Sequence, residues 1–394
     1  PFLVSLAARK ELRDVTVMTG VAAPGAVAAA QHPGIRVVTA FASPFSREAI
    51  RAGDIEFLPL SFHAGASYID RFDPRVGVVV VAEPQADGTV FPGGVLAYDD
   101  AIVRRRRGPG QIVLALVDPS QPRIPGDVFQ AADFDAFIAL PPATPAILTA
   151  TRETSEHAGA IAVRLSEFIP DGATIQAGVG GIPDDALSLL TDKRHLGIHT
   201  EVFGPGLASL IQDGIATGAR KAVNPGVATF TICEPSVWPF AHENPGMQLL
   251  GARACLDPCA IAANSALRCV NSAVEIDLFG QVNAEIVRGT QFSGVGGQLD
   301  FFRACRIASD ALSILVMEST AARGTATRIV PRLGEGHVVT SSRYDIDLVI
   351  TEHGVAWLRD RTTRERAAAL IEVAAPGYRA WLAEEAGRLG LLRR

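Results

Sequence analysis

The run VGVVVVA, Val76 to Ala82, constrains the fold more than any other stretch. It holds no polar side chain, so a strand built from it is apolar on both alternating faces. Both faces are covered when helices pack on each side of a parallel sheet. Runs of the same kind recur as DVTVMTG (14–20), GIRVVTA (34–40), IEFLPL (55–60) and QIVLALVD (111–118), many of them ending in turn residues. Helical patterns separate them. An α/β protein with mostly parallel sheets is therefore expected.

A chain of 394 residues exceeds one ordinary hydrophobic core, which predicts two domains. The Pro-rich segment DAFIALPPATPAI (135–147) leaves a strand and is the expected link, giving domains over 1–148 and 149–394. Beyond it, RETSEHAGAIAVRLSEFI (152–169) spaces its apolar residues as a helix does. GATIQAGVGGIPDDALSLL reads as strand, glycine turn and helix. Further strands are expected in LGIHTE, ATFTIC, RCVNSAVEIDLFGQV, SILVMES, HVVTSS and IDLVITEHGVAWL, before two closing helices.

The net charge of −6 gives a nucleic acid no general attraction, and no apolar run reaches the ~20 residues of a membrane helix. The opening PFLVSLAARKEL reads as an amphipathic helix rather than a signal peptide, so a cytoplasmic protein is expected. Cys233, Cys255, Cys259, Cys269 and Cys305 include no C-x-x-C pair, which fits reduced thiols better than disulfides or structural zinc. His195 and His199 are four apart but flank a strand, so no metal site is expected. Arg104–Arg107 form the one dense charge run, either a solvated helix end or a surface that steers a phosphorylated ligand.

The chemistry concentrates around glycine turns. QAGVGGIPDD (176–185) could cradle phosphate on backbone amides at a helix start, and Glu201 lies about 20 residues on, where a dinucleotide fold places its ribose-binding acid. Pro183 stands where the third fingerprint glycine belongs, however, and Asp184 and Asp185 would repel a pyrophosphate. A purely structural tight turn is the other reading. A second turn, FSGVGGQLDFFR (292–303), suggests two backbone walls around one pocket, able to hold a developing oxyanion. Between the two turns lie Glu201, at the end of LGIHTE, and the acids of NSAVEIDLFGQVNAE. Glu275, Asp277 and Phe279 there share one strand face. No Lys or Arg occurs between Leu196 and Arg220, which leaves Glu201 without a nearby cation in sequence. Gly204 and Gly206 would let backbone pass close to a bulky substrate.

These stretches, with TRIVPRL, VVTSSRYDIDLVITEHGVAWLRDRTTRERAAALI and APGYRAWL, resemble the acetyl-CoA hydrolase/transferase family, class I CoA-transferases of the 4-hydroxybutyrate, butyryl or acetate CoA-transferase type. LAARKEL and DGTVFPGG extend the resemblance more loosely into the first domain. It implies a two-domain CoA-transferase (NagB/RpiA-like) architecture and often a homodimer. The implied reaction moves CoA from an acyl-CoA to a small free carboxylic acid through acyl-glutamyl anhydride and glutamyl-CoA thioester intermediates. Coenzyme A then acts as substrate and covalent intermediate, with no further cofactor. The resemblance makes Glu201 the nucleophile, with Glu275 as the rival acid. It gives Gln176, Ala177, Gly178, Val179 and Gly180 to the CoA site through their backbone, sets Ile276 along the pantetheine path, and turns Gly296 and Gly297 toward the thioester, one amide serving an oxyanion hole.

Two stretches depart from the family pattern: RACRIASDAL, with Cys305 and Asp310, and TICEPSVWPF (231–240). Both are expected to shape the acyl pocket. An acyl-CoA hydrolase using the same glutamate, a CoA-binding protein without turnover and a nucleotide-dependent oxidoreductase are the alternatives.

Overall fold

The long apolar runs become strands, but VGVVVVA is covered on one face alone: Val79 and Val81 are buried, whereas Val76 and Val80 are exposed. The computed structural model describes residues 2–105, 108–141, 156–178 and 181–393. The proposed link at 148/149, the start of the 152–169 helix, Arg106, Arg107, Val179 and Gly180 lie outside them.

Strands Val15–Val21, Ile35–Phe41 and Ile55–Phe57 form one parallel sheet. Val76–Val81, Ile112–Val117 and Ala136–Ala139 form a second. The largest sheet has six strands in the order Gly197–Ile198, Thr174–Ala177, Leu267–Asn271, Ala311–Val316, Leu348–Thr351 and Gly354–Trp357. All its pairings are parallel except the last, a hairpin that turns at Glu352–His353. Every residue of its four central strands is buried. Helices Ala158–Ser166 and Gln298–Ile307 pack against it, the geometry that a doubly apolar strand requires. A core containing Val79, Val81, Val113 and Ala115 of the second sheet also contains Ile175, Ile198, Ile314 and Ile350 of the largest.

HVVTSS is not a strand. Val338 and Val339 are 41% and 49% exposed, and the segment runs as a loop held to nearby strands by the bridge of Ser341 to Val282, by the Thr340 N–H on the Val282 carbonyl and by His337 on Glu275. Gly334 and Gly336 lead the chain into this loop, and its two adjacent valines join no sheet.

The two halves meet where two helices begin. The first N–H groups of a helix lack intrahelical partners. In helix Phe62–Phe72, Phe62 N–H donates to the Gly296 carbonyl at 3.0 Å and His63 N–H to Asp300 Oδ2 at 2.9 Å. Asp300 sits in the first turn of helix Gln298–Ile307. The glycine turn of the second half thus caps a helix of the first.

The largest sheet is tied to its covering helix by Asp347, which has no exposed surface. Its carboxylate takes Arg306, the Arg359 Nε–H at 2.9 Å and the Ser313 N–H at 2.9 Å. Removing one partner from a buried charge cluster commonly costs about 3–5 kcal/mol, because the remaining charges stay desolvated. Asp347→Asn should therefore lower the unfolding free energy in urea by about 3 kcal/mol. A loss under about 1 kcal/mol would show that the arginines find other partners.

Candidate active site

Glu201 follows the short strand Gly197–Ile198 at the carboxyl edge of the largest sheet. Its carbonyl accepts N–H bonds from Thr231 (3.1 Å) and Ile232 (3.0 Å), which pin its backbone. The atypical stretch TICEPSVWPF therefore supports the glutamate directly. Cys305, the other departure, is buried with Cys269 beside it, while Asp310 pairs with Arg268 near the surface. Those two residues pack and brace the fold; no contact of theirs reaches Glu201.

The preceding residues are held as firmly. The Thr200 hydroxyl donates to the Ala177 carbonyl at 3.0 Å and accepts the Ala177 N–H at 3.3 Å. The buried His199 ring lies 2.7 Å from the Cys255 carbonyl through Nε2 and 3.2 Å from the Asn264 amide through Nδ1. A carbonyl only accepts, so Nε2 carries the proton and Nδ1 receives the Asn264 N–H. Burial lowers the His199 pKa to about 4, which keeps the ring neutral.

The side chain of Glu201 meets the second glycine turn. Gly297 N–H donates to Glu201 Oε2 at 2.6 Å. Gly296 adopts a φ of +58°, a left-handed conformation that favours glycine. A Cβ on Gly297 would lie 2.4 Å from Glu201 Oε2 and 2.5 Å from Leu256 Cδ2, so no side chain fits there. Among the described residues no cation pairs with Glu201. Burial raises its pKa to about 7; the Gly297 bond opposes the rise and Asp300 adds to it. Tyr98, from the first half, has its hydroxyl pKa raised by burial and then by the charges of Glu201 and Asp300. The site is therefore built from both halves of the chain.

The strand that leads into the first glycine turn lies beside Thr200. Gln176 is buried and exchanges amide bonds with Asn271 at 3.1 and 2.8 Å. Gly178 N–H donates to the Val270 carbonyl at 2.7 Å, and a Cβ there would strike Asn271. Gln176, Ala177 and Gly178 thus line up beside Thr200 and Glu201. Ile276 has no exposed surface, and its side chain lies in the core. Glu275 binds His337 and the Asn283 amide, and Asp277 is held by Gln281 and the Phe279 N–H. Both acids are engaged by partners outside the two glycine turns. Gly206 serves packing rather than substrate approach, because a Cβ there would lie 2.5 Å from the Asp184 carbonyl oxygen. The Asp184 carboxylate accepts the Gly206 N–H at 3.0 Å, which is why an acid opens that helix.

Sequence reasoning did not single out Tyr98 or His63, named Cys255 only as a reduced thiol, and carried Thr231 and Asp300 only inside the quoted TICEPSVWPF and GGQLD.

This fold is that of a CoA-transferase. The structure matches 4-hydroxybutyrate CoA-transferase from Porphyromonas gingivalis with a TM-score of 0.78, at 27% identity over 98% of this chain and 97% of that one. It matches RipA from Yersinia pestis with a TM-score of 0.90, at 28% identity over 99% and 90%. The 4-hydroxybutyrate coenzyme A transferase of Clostridium kluyveri is 33% identical over 350 residues, 88% of this chain and 80% of the relative. Residues 234–386 match the acetyl-CoA hydrolase/transferase C-terminal domain. The chain belongs to the acetyl-CoA hydrolase/transferase family of CoA-transferases.

A buried carboxyl with a raised pKa leaves a signature in stability. It holds its proton more tightly in the folded state than in the unfolded one. The stability it contributes is complete below its unfolded value and is lost as pH rises through about 7. A glutamine at this position has no such loss. The stability of Glu201→Gln relative to the parent should therefore grow by about 1–3 kcal/mol from about pH 4 to about pH 8. Parallel pH profiles for the two proteins, measured by denaturant unfolding, would show that the carboxyl titrates normally.

Proposed function

We propose that the protein transfers CoA from an acyl-CoA to a small free carboxylic acid, with Glu201 as the nucleophile. The observation that carries the reading is the Glu201 carboxylate, free of any cation among the described residues and bonded to the Gly297 N–H at 2.6 Å. A permanent cation would stabilise the ground-state carboxylate and weaken it as a nucleophile. A single backbone donor holds it in place.

The steps follow from carboxyl chemistry. A Glu201 oxygen attacks the thioester carbonyl, the C–S bond breaks, and CoA thiolate leaves an acyl-glutamyl anhydride. The thiolate then attacks the glutamyl carbonyl and expels the donor acid as its carboxylate, giving glutamyl-CoA thioester. An acceptor carboxylate attacks that thioester and releases thiolate, which takes the acceptor acyl group and frees Glu201. Negative charge passes from carboxylate to thiolate and back, and each tetrahedral adduct carries an oxyanion. The Gly297 N–H, beside the reacting oxygens at the start of a ten-residue helix, is placed to stabilise that charge. The first turn, with Gln176, Ala177 and Gly178, backs the opposite side of the CoA site in this reading. Coenzyme A is the only carrier that these exchanges require. The reading includes a homodimer in the cytoplasm, on the strength of the family resemblance.

Water could also take the place of the acceptor. Glu201 keeps part of its surface accessible, and the family joins hydrolases with transferases. The ratio of acceptor CoA ester to free CoA, with a panel of short carboxylates, separates the two outcomes.

Glu201→Gln should lower transfer by about 10³-fold or more, with the fold retained. Activity within about tenfold of the parent would remove Glu201 from the role. Incubation with acyl-CoA alone, followed by hydroxylamine or borohydride, should mark the peptide HLGIHTEVFGPG at Glu201. A mark at Glu275 would move the nucleophile there.

The raised pKa also sets the rate profile. Only the ionised carboxylate attacks, so kcat/KM should rise about tenfold per pH unit below about 7 and level off above it. A rate flat down to about pH 5 would mean that the free enzyme's nucleophile has an ordinary carboxyl pKa.

A further inference from the structure

Tyr98 is a buried polar group that the steps above leave without a task. It is 8% exposed, and its hydroxyl makes no hydrogen bond among the described residues. Buried polar atoms nearly always have partners, so an O–H left open beside a candidate nucleophile points to a ligand.

Two supports of Glu201 fix where Tyr98 sits. The Leu96 N–H donates to the Thr231 carbonyl at 3.0 Å and the Ala97 N–H to Thr231 Oγ1 at 3.0 Å, while the Thr231 N–H holds the Glu201 carbonyl. Tyr98 follows directly on that pairing. Its ring stacks on Phe62 with centroids 4.8 Å apart, and the Phe62 N–H bonds the Gly296 carbonyl beside the amide that holds the carboxylate. Gly65 makes room for the phenol, since a Cβ there would lie 2.5 Å from the hydroxyl oxygen. The surroundings are otherwise apolar or engaged. Phe41 and Leu256 flank the glycine pair, and the Thr200 and Thr231 hydroxyls hold backbone groups of Ala177 and Ala97.

In the proposed reaction the free acid is the reactant that has no donor. It meets Glu201 as a neutral thioester, so no charge repels it, but one of its oxygens must be held while the other attacks. We propose that the Tyr98 hydroxyl binds the free carboxylic acid, donating to the oxygen that does not attack; the assignment rests on the CoA-transferase reading above. The attacking oxygen bonds to the glutamyl carbonyl carbon, the C–S bond breaks, and thiolate leaves with the electron pair. The phenol keeps its proton throughout. Burial, then the charges of Glu201 and Asp300, push its pKa far above the usual value, so it remains a donor wherever the acid is ionised. A neutral donor suits this place, because it orients the acid without setting a cation beside Glu201.

The test uses Tyr98→Phe, which keeps the ring that stacks on Phe62 and removes only the hydroxyl. Parent and variant are charged with acyl-CoA, freed of donor acid by rapid gel filtration, and checked by mass for bound CoA. The charged proteins are then discharged either by the best acid of the short-carboxylate panel or by hydroxylamine, which attacks the same thioester without a carboxylate. Charging is slowed as well, since the donor's acid leaves through the same contact, so the comparison is made on charged protein alone. Discharge by the acid should slow by about tenfold or more in the variant, and discharge by hydroxylamine should stay within about twofold. Equal rates with the acid, or equal losses with both nucleophiles, overturn the assignment, the second outcome showing that the ring change disturbs Glu201 itself. If the parent takes up no CoA, or if hydroxylamine but no acid discharges it, the transferase reading fails and the role of Tyr98 with it.

Discussion

One peptide group carries the site. The unit between Gly296 and Gly297 accepts the Phe62 N–H on its carbonyl oxygen and donates its own N–H to Glu201. Each bond polarises the peptide in the sense that strengthens the other. The first half of the chain thus acts on the glutamate of the second without touching it through this group. The arrangement requires glycine on both sides of the peptide, one for its left-handed φ and one because a Cβ would displace the carboxylate.

The remainder of the site limits how Glu201 can move. His199, Thr200 and Glu201 are consecutive, and each is anchored to a different element: Cys255 and Asn264, then Ala177, then the Thr231 and Ile232 amides. All of these partners are neutral. Burial without a counter-charge raises the glutamate pKa, and the single amide bond keeps the rise moderate. For the proposed attack, a carboxyl that titrates near neutrality would be ionised often enough to react without being so stabilised that it is inert.

The sequence made the strands Ala311–Val316 and Leu348–Thr351 legible because they are almost wholly apolar, a pattern that local reading detects, whereas their neighbours in the sheet carry Gln176, Arg268 and Asn271. HVVTSS shows the limit: a short β-branched run alone cannot reveal that Gly334 and Gly336 lead it into a loop. Glu201 stood out through the absence of cations around it together with the family resemblance. Gly206 was misread, since a glycine looks the same whether its neighbour is a ligand or the Asp184 carboxylate. Tyr98 gave no signal, because its relation to Glu201 arises only when the two halves meet. The Gly297 bond likewise joins residues 96 positions apart.

The exchange between Gln176 and Asn271 has a consequence for the energetics of turnover. Two amides satisfy each other beneath the first glycine turn, with no titratable atom in the pair. In the proposed reaction, charge passing between oxygen and sulfur at Glu201 would ask no proton of this pair, and fixed amide dipoles of this kind add little reorganisation energy to a barrier.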